Sequence, residues 1–488
     1  MSMINLVLIV LFIIAQLAYL CTMLIEIYFI TRPVNRVDME EIKDISQDDY
    51  PDIILFYPVL RELESTMRTT FVSLENLHYP TEKFRIIAIP NDNDLPTVES
   101  LERLAREFPF LSVMPVPPTS DPRWNVVWDD WQANQNAYWF HKGPRAGVRD
   151  LPPKKTRQLI YAFYTTYANN PFKGDFLVDY IDADSAPPAN HFQAAAVGMR
   201  HYDVLQATNI AGNLLDTMPA SWFAFDHLCW DANKYGHLTA NGHHPYWVLG
   251  KGLFFKASDL KQLGGFHPWM TIEDPEVGMR FWKNGKTLGL IEAPLVEEVP
   301  ETLSNGITQR KRWVAGFFQS LDTPLKEMGF SRYERFKAWL NFLPCLSFWF
   351  NSVGIPVGIW ALVEWAKGTS PLPHWTVYLS AFNVLCFALL LLGQYVITWR
   401  RTALVLPSRF KRLWYLIRVN PISLMIFWLV WMIPLWKGWR MYRKDAGLVW
   451  ERTIKINANN DIVREIVASE HAEDAASTTP AGAVPQAR

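Results

Sequence analysis

The sequence predicts an α/β domain held between membrane-length apolar segments, on three observations. Short β-rich apolar runs, Asp52 to Val59, Phe84 to Ile89, Phe176 to Ile181 and Val204 to Asn209, alternate with stretches of helical spacing, the pattern of a buried parallel sheet with helices on its faces. The first segment, Ile4 to Ile25, carries no charge and reaches the roughly 20 apolar residues that cross a bilayer. Two further runs of that length, Trp339 to Trp365 and Trp375 to Thr398, follow the α/β region.

In chain order, residues 1–30 read as an N-terminal transmembrane helix, because Met-Ser-Met-Ile-Asn lacks the basic start of a cleaved signal peptide. Residues 31–50 turn polar and form a linker, and 51–329 form the α/β domain. Within it, Leu63, Met67, Phe71, Leu74 and Leu77 recur at helical spacing between the first two strands, giving a strand-helix-strand unit. Residues 330–340 alternate an apolar stripe (Phe330, Tyr333, Phe336, Trp339, Leu340) with Arg332, Glu334, Arg335 and Lys337, as in a helix lying in a membrane surface. Residues 341–440 hold the C-terminal spans, with the basic stretch from Arg400 to Arg418 expected on the cytoplasmic side. The run Pro421 to Trp436 leaves the parity of crossings open. Residues 441–488 form a tail whose end, from about Ala468, reads as disordered.

Composition narrows the function. Half of the 488 residues are hydrophobic and the net charge is −1, so the basic excess of a nucleic-acid binder is missing. Cys21, Cys229, Cys345 and Cys386 lie far apart, with no spacing for a disulfide framework or a zinc site. His237, His243, His244 and His267 likewise lack zinc-motif spacing and read as structural.

An open α/β sheet binds ligands at the carboxyl ends of its strands, where Asn91-Asp92-Asn93-Asp94 and Asp182-Ala183-Asp184 fall. Two carboxylates one residue apart suit a hard divalent ion bridging the oxygens of a diphosphate, although Asp-x-Asp also arises as ordinary turn chemistry. Glu273-Asp274-Pro275 reads equally as helix punctuation, with aspartate as cap, and as a carboxylate base aimed into a cleft. In Gln309-Arg310-Lys311-Arg312-Trp313, the residues Gln309, Arg312 and Trp313 share one helical face, combining a guanidinium fork for phosphate with an indole for a sugar ring. A basic juxtamembrane helix has the same composition. Trp124, Trp128, Trp131 and Trp139 fall in what reads as an insertion, Asp121 to Pro153, either lining a glycan surface or packing on the sheet. Lys154, Lys155 and Arg157 follow, facing a diphosphate or solvent.

Taken in this order, the motifs resemble the family 2 glycosyltransferases of membrane polysaccharide synthesis, the group of cellulose, chitin and hyaluronan synthases and bacterial exopolysaccharide enzymes. Pro58-Val59-Leu60-Arg61-Glu62, Leu77-His78-Tyr79-Pro80, Gly250-Lys251-Gly252 to Gly264-Gly265-Phe266, Glu297-Glu298-Val299-Pro300 and Trp450-Glu451-Arg452-Thr453 extend the resemblance. It implies a GT-A catalytic domain with Asp274, beside Glu273, as general base. It also implies Asp182 and Asp184 at Mg2+ or Mn2+, and Glu62, Asp92, Asp94, Asp182 and Arg312 around a nucleotide-sugar donor. Gln309, Arg312 and Trp313 would then meet diphosphate and acceptor. Ile272 departs from the family's compact Thr-Glu-Asp and displaces Thr271 by one residue. The implied reaction is inverting transfer to a growing β-linked glycan, in the bacterial inner membrane with the catalytic domain cytoplasmic. Single-sugar transfer to a lipid acceptor is the alternative, and a non-catalytic nucleotide-sugar-sensing module of a transporter is the reading from another class. So few helices would need an oligomer or accessory subunit to pass a polymer across the bilayer.

Overall fold

The computed structural model describes residues 3–231, 236, 242–322, 326–444 and 455–478, with the backbone alone described for 344–346 and 473–478. His237 and the 450–453 motif lie outside them. The chain opens with helix α1 (Met3–Ile30), and the α/β domain follows around a seven-stranded sheet in the order β3-β2-β1-β4-β6-β5-β7. The strands are β1 (Ile53–Pro58), β2 (Phe84–Ile89), β3 (Leu111–Val113), β4 (Leu177–Tyr180), β5 (Val204–Ala211), β6 (Leu253–Lys256) and β7 (Leu288–Glu297). Its helices are α2 (Glu64–Glu75), α3 (Leu95–Glu107), α4 (Asn125–Ala133), α5 (Tyr138–His141), α6 (Lys155–Ala168), α7 (His191–Gly198), α8 (Met218–Cys229), α9 (Ala257–Gln262), α10 (Asp274–Lys283) and α11 (Leu303–Leu321).

Every residue of β1, β4 and β5 is buried, which is why these strands read as mostly apolar runs instead of alternating ones, with Asp179 in β4 and Gln206, Thr208 and Asn209 in β5 as buried polar exceptions. β1 pairs in parallel with β2 and β4, and β5 with β7, as expected. The sheet is nevertheless mixed, because β6 runs antiparallel between β4 and β5. A four-residue strand in a glycine-rich stretch is too short for periodicity to declare its direction. The linker also contributes to the sheet, since Val37 N donates to Leu290 O and Leu290 N to Asn35 O on β7. The tryptophans of 121–153 are core and not a glycan surface: Trp124, Trp128, Trp131 and Trp139 are at most 3% exposed, and Trp124 and Trp131 pack against Tyr161 and Tyr164 of α6.

Beyond the domain come α12 (Arg332–Leu346), α13 (Asn351–Ala366), α14 (Trp375–Arg401), α15 (Arg409–Arg418), α16 (Pro421–Arg443) and α17 (Asn460–Thr478). Three helices, α1, α14 and α16, are long and apolar enough to cross a membrane, and α12 with the segment Ser347–Ala366 makes a fourth candidate bent by 65°. The expected span from Trp339 is therefore broken between Leu343 and Ser347, a bend that a continuous apolar run cannot reveal. On α12, Tyr333, Phe336 and Trp339 are exposed on one face. On α15, Phe410, Leu413, Trp414 and Ile417 are exposed at the spacing of one helical stripe, with Arg409, Lys411, Arg412 and Arg418 around it, the pattern of a helix in a lipid surface. The tail is ordered further than its composition suggests, for α17 runs to Thr478 and packs on α2, where Asn76 Nδ2 donates to Glu470 at 2.7 Å.

Candidate functional site

The cleft lies at the carboxyl ends of β1, β4 and β7, with a volume of about 220 Å³. It brings together Glu62, Asp182, Asp184, Glu273, Asp274, Gln309, Arg312 and Trp313, residues spread over 252 positions of the chain. Asp92 and Asp94 are not among its lining side chains. Asp94 instead accepts from Arg61 N at 3.0 Å and Thr97 Oγ1 at 2.8 Å, holding Arg61 at φ 53°, a left-handed conformation rare outside glycine. Asp94 thus shapes the loop that presents Glu62.

Asp182 and Asp184 follow β4, and their environments differ. The Asp182 side chain is 43% exposed to the cleft, with Lys155 Nζ at 2.6 Å. Its burial disfavours the charge, but Lys155 and Lys251 outweigh that and hold the carboxyl below its ordinary value. Asp184 is buried, accepting from Glu298 N at 3.0 Å and from Lys455 Nζ. Lys155 also donates to Gly250 O at 2.5 Å and stands 3.7 Å from Glu273 Oε1, joining the strand-end carboxylates to the Glu273-Asp274 pair. Burial pulls the Lys155 pKa down, yet the charges of Asp182 and Glu273 leave it raised, so it stays an ammonium. Lys154 and Arg157 point elsewhere, to Met270 O and Asn91 Oδ1.

Helix capping does not account for Glu273 and Asp274. Asp274 is the first residue of α10 and Glu273 the N-cap, and Glu273 makes no side-chain cap hydrogen bond. The helix start is fixed from behind, where buried Glu276 accepts from Tyr138 OH at 3.0 Å and from Arg280 Nη2 at 2.9 Å. Burial, reinforced by the charge of Glu273, pushes the Asp274 carboxyl well above its ordinary pKa. Such a group is a stronger base when ionised than a solvated aspartate.

The pentad lies on α11 with its two faces doing different work. Gln309, Arg312 and Trp313 line the cleft. Arg310, 1% exposed, turns away to Asp226 of α8 with Nε at 3.0 Å and Nη2 at 2.7 Å, and its guanidinium lies 4.0 Å from the Phe223 ring centre. That buried pair clamps α11 to α8 and sets the height of Trp313 over the cleft.

Several cleft residues escape a motif-based reading. His227, Asp231, Lys251 and Lys455 all line it. Lys251 pairs with Glu297, and burial lowers its pKa to about 8. Asp231 accepts from Asn209 N at 3.0 Å and from Arg401 Nη2 at 3.2 Å, tying the end of α14 to the cleft. His227 Nδ1 bonds Glu297 Oε1 at 2.9 Å. Lys455 returns from beyond α16, and Ile456 N and Ala458 N donate to the Glu298 carboxylate at 3.1 and 2.7 Å. The resemblance quoted at 450–453 ends just before this segment, and the composition of the tail does not mark it as part of the cleft. Among the described residues, no three His, Cys, Asp or Glu side chains are grouped to hold a metal ion by themselves. His244 packs on Phe29 of α1, and His267 Nδ1 accepts from Trp269 N.

Comparison with known proteins gives the chain its family. A mannosyltransferase from Pyrobaculum calidifontis, solved with GDP-Man and Mn2+, is 16% identical with a TM-score of 0.48, over 87% of this chain and 98% of that one. S. aureus TarS, residues 1–349, is 11% identical with a TM-score of 0.33, over 80% and 91%. Glucosyl-3-phosphoglycerate synthase from Mycobacterium tuberculosis, with Mn2+, UDP and phosphoglyceric acid, is 11% identical with a TM-score of 0.32, over 62% and 88%. No curated protein matches. The sequence profile of glycosyl transferase family group 2 matches residues 177–436, just over half of the chain and most of the cleft-forming elements, from β4 to α16. The chain therefore belongs to glycosyl transferase family group 2, and the reaction it serves is the transfer of a sugar.

Proposed function

We propose that the protein is an inverting glycosyltransferase that works at a membrane surface, moving a sugar from a nucleoside-diphosphate sugar to a membrane-held acceptor. The observation that carries this reading is the convergence of Asp182 and Asp184, Glu273 and Asp274, and Gln309, Arg312 and Trp313 on one cleft. Arg312, with Lys155 and Lys455 near it in the cleft, offers cationic donors to a departing diphosphate. Asp274, with a pKa raised by burial and by Glu273, accepts the proton of the attacking acceptor hydroxyl. With one base and direct displacement no covalent intermediate forms, so an α-linked donor gives a β-linked product. Trp313 gives the acceptor sugar a flat apolar face.

The residues fit a divalent ion. Asp182 and Asp184 present hard carboxylate oxygens, and a site without a third protein ligand suits Mg2+ or Mn2+, which takes its remaining ligands from diphosphate and water. When bound, the ion neutralises charge on the leaving diphosphate.

Three helices carry the reading of topology. The C-terminal end of α1 meets the domain through Phe29 on His244, α12 through Asn341 Nδ2 on Pro245 O, and α14 through Arg401 on Asp231. α16 lies along the domain at both ends, Ser423 Oγ accepting from Trp222 Nε1 at 2.6 Å and Tyr442 OH donating to Asp322 at 2.7 Å. Although α16 is long and apolar enough to cross, in this reading it rests on the membrane surface, while α1, the segment Ser347–Ala366 that contains α13, and α14 cross. Arg400, Arg401 and the basic α15 then share the side of the catalytic domain, as the positive-inside rule requires of a cytoplasmic face.

Three crossing helices favour a lipid-anchored acceptor over a polymer secreted by one chain alone. Cellulose- or hyaluronan-like synthesis of a growing glycan would need further copies or a partner subunit around the channel. Sizing the products made by purified membranes from labelled sugar nucleotides separates the two. For the chemistry, Asp274→Asn keeps donor binding and lowers transfer by about 10²- to 10⁴-fold, the usual share of a general base; transfer at the original rate rules Asp274 out as the base.

A further inference from the structure

The cleft holds an imidazole that the reaction described above does not use. His227 comes from α8, belongs to none of the sequence motifs, and lines the cleft with Gln309 and Trp313. Its orientation is built, because Glu297 holds Nδ1 at 2.9 Å while the other oxygen of that carboxylate pairs with Lys251. The imidazole lies against Trp313, ring centres 5.6 Å apart and planes at 36°. The carboxylate accepts a hydrogen bond from Nδ1–H, so Nε2 carries the lone pair, and Nε2 is buried with no hydrogen-bond partner among the described residues. Burial, with Arg310, Lys251 and Lys455 nearby, keeps the ring neutral by lowering its pKa well below the ordinary histidine value. A buried acceptor left without a donor is costly, and it persists where a ligand supplies the donor.

We propose that His227 is an acceptor-recognition residue, whose Nε2 takes a hydrogen bond from a hydroxyl of the glycosyl or polyol unit that lies on Trp313. This rests on the reading of the cleft as a glycosyltransferase site and adds a specificity contact to it. The ligand class follows from the chemistry: a hydroxyl donor beside an apolar ring face is what a carbohydrate presents, and a bare hydrocarbon chain has no donor to give.

The test compares His227→Phe, which keeps a ring against Trp313 and loses the acceptor nitrogen, with His227→Gln, which restores a polar group. Donor binding is read by calorimetry with UDP-glucose, UDP-N-acetylglucosamine and GDP-mannose. Transfer is read as label incorporated against increasing amounts of membrane extract. The expected result is an unchanged donor Kd, a half-saturating amount of extract raised about tenfold in His227→Phe, the size of one lost buried hydrogen bond, and partial recovery in His227→Gln. Unchanged half-saturation in His227→Phe overturns the proposal, and so does a donor Kd weakened as much as transfer. A wild-type protein that neither binds nor turns over any of the three donors overturns instead the glycosyltransferase reading on which the proposal stands.

Discussion

Gly316 on α11 faces the loop that carries the candidate base, and replacing it with alanine gives a measurable displacement. A Cβ at Gly316 would stand 2.2 Å from Ile272 Cγ1, 2.9 Å from its Cδ1 and 3.3 Å from its Cβ. Carbon atoms rest at roughly 3.5–4.0 Å, so Ile272 has to retreat by about 1.5 Å. Ile272 is bonded to Glu273, and the retreat carries into Asp274. Overpacking of this kind costs about 1–3 kcal/mol, offset in part by the ~1 kcal/mol that alanine gains over glycine within a helix. The larger effect is on rate, since a misplacement of about 1 Å at a reacting group lowers turnover about 10²-fold. Label transfer from a sugar nucleotide, measured with donor calorimetry and thermal unfolding in detergent, separates rate from folding. Ile272→Ala in the same chain removes Cγ1 and Cδ1 and leaves only the 3.3 Å contact, so the double variant recovers most of the rate. A Gly316→Ala protein that transfers at the original rate, or a double variant no faster than the single one, refutes the argument that α11 sets the position of Asp274.

Two further outcomes follow from the same geometry. The Asp274 carboxyl is raised by burial and then by the charge of Glu273, and transfer needs it ionised, so activity climbs with pH through that raised value. Glu273→Gln removes the neighbouring charge, lowers the Asp274 pKa and moves the acid limb of the pH–rate profile to lower pH; an unmoved limb shows that the charge of Glu273 does not reach the base, and total loss of transfer makes Glu273 the base. A protease site or tag placed after Thr478 is expected on the same membrane face as the catalytic domain, with a tag before Met3 on the other; both tags on one face would contradict the three-crossing topology.

How far the sequence discloses this molecule depends on the length over which each signal acts. The strands β1, β2, β4 and β5 were legible because both faces are covered, but for Arg85 on β2, and their runs are mostly apolar. β6 was not, because its direction is set by pairing with β4 and β5 and not by its own residues. The grouping Gln309, Arg312 and Trp313 was legible because helical spacing alone places them on one face. What Arg310 does was not, since its partner Asp226 is 84 residues away. Asp92 and Asp94 show the converse: strand-end position singled them out, but the loop after β2 folds so that Asp94 serves the backbone of Arg61 and neither lines the cleft. Nothing local marks His227 as a cleft residue, and Lys251 stood out only through the Gly250-Lys251-Gly252 resemblance, for their common partner is Glu297 at the end of β7.

The deepest part of the cleft is closed by the segment least expected there. Lys455 belongs to a polar tail by composition, yet it pairs with buried Asp184, and Glu298 gathers the backbone of Ile456 and Ala458. α17 then secures the segment on α2 through Glu470 and Asn76. Lys455 thus takes its place beside Asp184 only after the chain has run through α13, α14 and α16. Burial alone would discourage the Lys455 ammonium, and the charge of Asp184 more than offsets this, so the lysine stays charged. At Asp184 a divalent ion would meet a carboxylate that already pairs with a cation, and its binding would displace or share that lysine. The C-terminal helices therefore do more than flank the α/β domain: the chain that leaves them delivers a cation to the buried carboxylate of Asp184 in the cleft.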